Sequence, residues 1–84
     1  MKNPTVADMW AGYAAACLPA NCHEVQRTET ERAFYAGVVS MVELCNLIGQ
    51  PGVTEERGVE ILSGIEAEVA AYTERAKESI RANT

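Results

Sequence analysis

The sequence predicts an all-α protein: a short N-terminal helix packed on a long antiparallel helical hairpin, assembled as a homo-oligomer. Three observations carry that expectation. Residues 25–48 (VQRTETERAFYAGVVSMVELCNLI) set Phe34, Val38, Met41, Cys45 and Ile48 at helical spacing, and Tyr35, Val39, Val42 and Leu44 widen the same apolar face. Leu62, Ile65, Val69, Tyr72, Ala76 and Ile80 then recur at heptad-like spacing, with Val59 and Ile61 beside them. Between the two runs, Gly49 and Gln50-Pro51-Gly52 form a turn short enough to fold one helix back along the other.

The first helix is expected over about residues 5–18. Pro4 suits a helix start, and Thr5 with Asp8 resembles a capping box. Val6, Met9, Trp10, Tyr13 and Cys17 make its apolar stripe. It stops before Pro19, which lacks an N–H and biases Leu18 away from helical angles. Residues 19–26 read as a loop. Thr28 with Glu31 resembles a second capping box, so the second helix is expected over about 29–48, closed by Gly49 at its C′ position. Thr54 is the expected N-cap of a third helix over about 55–81, with Glu55 and Glu56 in the first turn, where the helix dipole favours anions. Gly58 and Gly64 weaken the first half of that helix by roughly 1 kcal/mol each relative to alanine.

Eighty-four residues allow one domain, 1–84. So short a chain has a marginal core without disulfides, metal or oligomerisation. The apolar stripe of the second helix is more than three helices can cover, and symmetric self-association is the simplest cover for it. The net charge of −5 argues against duplex nucleic acid or an anionic membrane surface as a partner, since both reward excess Lys and Arg. There is no run of about eighteen apolar residues, and MKNPTVADMW lacks the apolar stretch of a signal peptide, so a cytoplasmic location is the expectation.

Folding the hairpin about Pro51-Gly52 brings Arg32 opposite Ala71 and Tyr72, and Arg27 opposite Ala76. His23, Arg27, Arg32, Arg75, Lys77 and Arg81 then gather at its open end, five of the seven basic residues among them. The free N–H groups of the second helix point there too, a combination suited to a compact anion such as phosphate. Tyr35, Tyr72 and Trp10 could supply a face for a base. A plainer reading stands beside it. Arg75, Lys77 and Arg81 also suit the C-terminal dipole of their own helix, and Glu24, Glu29, Glu31, Glu74 and Glu78 could pair with the arginines.

Other chemistry has little footing. Cys17, Cys22, His23 and Cys45 lack the tight ligand spacing of a zinc site, and Cys17 and Cys45 fall on apolar helix faces. His23 adjoins Cys22, but neighbours in sequence seldom form a nucleophile–base pair. Glu66 and Glu68 point to different faces of a helix, and no glycine-rich phosphate loop is present. No catalytic residue, metal or cofactor is expected.

Trp10, Tyr13, Leu18, Pro19, Gln26, Arg27, Arg32, Phe34, Tyr35, Ala36 and Gly37 carry a resemblance over most of the chain. The pattern resembles small uncharacterised bacteriophage and prophage helical proteins with a "QR…RAFYAG" helix, although Glu31 stands where a second arginine belongs. In size, helicity and expected self-association, though not in sequence, the chain is also similar to phage anti-CBASS and anti-Thoeris sponge proteins, an analogy of architecture alone. Those likenesses imply a phage-encoded, non-enzymatic anti-defence protein that sequesters a small phosphorylated, cyclic nucleotide-type signal. Arg27 and Arg32 would grip phosphate, Tyr35 and Trp10 would face a base, and Arg75 and Lys77 could come from a neighbouring copy. The alternative is a helical module that docks on and inhibits a host or phage protein.

Overall fold

A computed structural model describes residues 2–82. Among them are three helices and no strand: α1 (Val6–Cys17), α2 (Glu24–Ile48) and α3 (Glu55–Ala82). The chain divides into two compact units, Met1–Leu44 and Cys45–Thr84.

In the first unit, Thr5 is extended and its Oγ1 accepts a hydrogen bond from the Asp8 N–H at 3.1 Å, the cap that the sequence indicates. Leu18 ends α1 in extended backbone, its N–H donating to the Ala14 carbonyl at 2.9 Å, and Pro19 prevents any further turn.

The start of α2 corrects the sequence reading. The helix begins at Glu24, five residues before the expected 29. His23 is the reason. Its Nδ1 accepts from the Val25 N–H at 3.1 Å, and its carbonyl accepts from the Arg27 N–H at 3.1 Å, so histidine takes the place that Ser, Thr, Asp or Asn usually fills. The Thr28–Glu31 pair is therefore inside the helix and caps nothing, and Thr30 Oγ1 donates back to the Gln26 carbonyl at 2.7 Å, as helix-interior threonines do. Replacing His23 by Ala should cost about 1 kcal/mol and fray the first turn of α2, while Asn at 23 keeps the cap. Urea unfolding with helicity followed by circular dichroism checks this; equal stability of the two variants would show that the imidazole contributes nothing.

The packing of the first unit is aromatic. Phe34 on α2 has ring-centroid distances of 5.5 Å to Trp10 and 5.5 Å to Tyr13, both on α1, and Tyr35 stands edge-on to Phe34 at 5.9 Å. Trp10 and Tyr13 are 6.0 Å apart. Ala14 is the one buried apolar residue among those described. On α2, Phe34, Val38 and Leu44 are half-buried, but Met41 and Cys45 are exposed although both belong to the stripe read from the sequence. Length explains Met41: twelve residues make α1 about 18 Å long, against about 38 Å for the twenty-five of α2.

In the second unit, the last turn of α2 closes with the Gly49 N–H on the Cys45 carbonyl at 3.1 Å. Gly52, not Gly49, is the residue with positive φ, at 96°, so the left-handed step falls inside the turn and not at the helix end. The Val53 N–H returns to the Gln50 carbonyl at 3.1 Å, and Thr54 Oγ1 caps α3 by accepting from the Arg57 N–H at 3.1 Å. Ile48 then lies over Gly58, where an added Cβ would come within 3.0 Å of Ile48 Cγ2. Gly58 is the buried residue of α3, while most of its apolar stripe is open: Val69 is 57% exposed, Tyr72 64% and Ile80 66%.

Candidate ligand site

Of the six residues that the sequence singles out, Trp10, Arg27, Arg32 and Tyr35 lie in the first unit and Arg75 and Lys77 in the second. In the first unit they divide between two shallow hollows. Arg27 shares one, of about 540 Å³, with Trp10, Ala14, Leu18 and Ala20. Arg32 shares the other, of about 380 Å³, with His23, Glu24, Thr28 and Glu29. Five residues along a helix rotate a side chain by about 140°, which is why the two guanidinium groups look out over different flanks of α2. Tyr35 lines neither hollow; its ring belongs to the aromatic cluster through Phe34.

The Trp10–Arg27 hollow is built by small residues. Ala11, Ala14, Ala15 and Ala20 line it, and no long side chain from these positions fills the space beside the indole. Leu18 closes one wall where Pro19 stops α1. The walls are apolar and the one charged lining group is Arg27. Among the described residues neither Arg27 nor Arg32 has an ion-pair partner. Arg32 nevertheless shares its hollow with Glu24 and Glu29, whose carboxylates weaken its pull on an anion.

In the second unit, Arg75 and Lys77 are engaged within α3. The Arg75 guanidinium lies 5.7 Å from the centre of the Tyr72 ring, a cation–π contact, and Lys77 Nζ is 3.5 Å from Glu74 Oε1. Both Lys77 and Glu74 are well exposed, so solvent screens that pair and it holds the lysine weakly. Arg57 is bound more closely, 2.8 Å from Glu60.

Cys17, Cys22 and Cys45 are free thiols, and among the described residues no three His, Cys, Asp or Glu side chains gather as metal ligands. No helix among them is long and apolar enough to cross a membrane. Two features of the hollows escaped the sequence reading. The alanine lining carried a signal in the AAAC–Leu18-Pro19 run, where small residues precede a forced stop. The capping role of His23 carried none, since histidine is not a usual cap.

No protein-family model, curated protein or solved structure matches the chain.

Proposed function

We propose that the protein is a non-enzymatic, homo-oligomeric binding protein that takes up a small phosphorylated ligand of the cyclic-nucleotide type and withholds it from an effector that would otherwise respond to it. One observation carries this reading: the Trp10–Arg27 hollow is lined by an indole, apolar side chains and a guanidinium that has no ion-pair partner among the described residues. Guanidinium groups bind phosphate oxygens in a bidentate fork, and an indole offers a stacking face to a base. A hollow of this size lies in the range of ordinary ligand sites. Withholding works by mass action alone and requires no hydrolytic residue. The phage origin and the anti-defence setting rest on the "QR…RAFYAG" resemblance. Arg32 and Tyr35 have a smaller part in this reading, as outer contacts for a ligand larger than the hollow, and Arg75 and Lys77 as contributions from a neighbouring copy.

Calorimetry against a panel of cyclic di- and trinucleotides and cyclic ADP-ribose isomers tests it. At least one should bind, and Arg27→Ala should weaken that binding by about 10–100-fold, the worth of a charge-assisted hydrogen bond. An absence of heat from every compound, with protein at high micromolar concentration, removes the proposal.

A second reading has its own support. Val39 and Val42 are exposed on α2 within a turn of each other, a pattern suited to docking on another protein. A chain that stays monomeric and retains a host or phage protein on that face would favour docking over ligand capture.

A further inference from the structure

On α3, Leu62, Val69 and Tyr72 are exposed along one apolar stripe, and the pattern around them points to a partner. In heptad terms Leu62, Val69 and Ala76 occupy a positions, Ile65, Tyr72 and Ser79 occupy d positions, and Glu68 and Arg75 occupy successive g positions. We propose that α3 pairs antiparallel with α3 of a second copy, crossing near Ala70 and Ala71. This specifies the homo-oligomeric part of the proposed function and rests on that reading.

Two arguments support the pairing. The first is shape. Antiparallel layers set Leu62 against Ser79, Ile65 against Ala76 and Val69 against Tyr72 of the second copy, so each larger side chain meets a smaller one or its complement. A parallel pair would face Tyr72 with Tyr72 and leave a gap at Ala76 with Ala76. The second is charge. The antiparallel register places Glu68 beside Arg75 of the second copy, and the two-fold axis repeats the contact. Among the described residues Glu68 has no ion-pair partner, and Arg75 makes only its contact with Tyr72, so both are available. A parallel pair would set Glu68 opposite Thr73 and lose that attraction.

Sedimentation equilibrium on the full chain tests the pairing. The wild type should form a reversible dimer or a multiple of one. Glu68→Arg or Arg75→Glu alone sets like charges together twice across the axis and should raise the dimer Kd by about tenfold or more. The double swap restores the attraction and should return Kd to within about threefold of wild type. Both positions are exposed, and circular dichroism confirms that each variant keeps its helicity. A dimer indifferent to the single swaps, or one the double swap fails to rescue, overturns the α3 pairing while leaving self-association intact. A wild type that remains monomeric at high micromolar concentration overturns both, and calorimetry on the wild type reads ligand binding separately.

Discussion

Replacing Phe34 by alanine should release α1 from α2 at a cost of about 2–3 kcal/mol. That is below the roughly 3–5 kcal/mol of a fully buried phenylalanine, because this ring is only half-buried. The ring has a large share in the packing of the first unit: it meets Trp10 and Tyr13 from α1, each at 5.5 Å, and Tyr35 at 5.9 Å. Each such aromatic pair contributes about 0.5–1.5 kcal/mol beyond the area it buries. α1 has twelve residues and so cannot hold a helix alone in water. Urea unfolding should therefore show the loss, and Trp10 fluorescence should shift to the red as the indole enters water. The Trp10–Arg27 hollow would go with it, since its two walls come from different helices. An unchanged emission maximum together with unchanged stability would mean that the cluster does not fasten α1.

The second large effect runs the other way. Gly12, Gly37 and Gly64 lie inside helices, and a Cβ at any of them would meet nothing within 4 Å. Alanine is better than glycine in a helix interior by about 0.8–1.0 kcal/mol, so the triple replacement should raise the unfolding free energy by roughly 2–3 kcal/mol. Gly58→Ala is the contrast. It carries the same propensity gain, but its Cβ would press to 3.0 Å on Ile48 Cγ2, a branched methyl held at the end of α2, and the gain should vanish. Denaturant midpoints of the triple variant, Gly58→Ala and Gly64→Ala check both statements. If Gly58→Ala stabilised as much as Gly64→Ala, the contact with Ile48 would be looser than the structure places it.

The helical elements were legible because the signals that define them are local. Thr5 and Thr54 cap α1 and α3 as their sequence context indicates, Pro19 stops α1, and α2 ends at Ile48. α2 starts early because an imidazole nitrogen can accept the same bond as a hydroxyl, and sequence statistics seldom credit histidine with that role. The turn is legible in Gln50-Pro51-Gly52, and the left-handed residue within it is Gly52. The candidate site was legible only as a set of residue types. Arg27 and Arg32 are five residues apart, and rotation about α2 gives them separate hollows, one apolar and one shared with carboxylates.

Periodicity, caps and punctuation were sufficient to determine three helices and their approximate ends, because each of those signals acts over a few residues of one chain segment. What only the tertiary structure decided is which apolar positions gain a neighbour: Phe34 does, through Trp10 and Tyr13, while Met41, on the same stripe, stays open. The physical reason is that a stripe records which residues share a face, whereas cover depends on how far the opposing helix reaches, and α1 is half the length of α2.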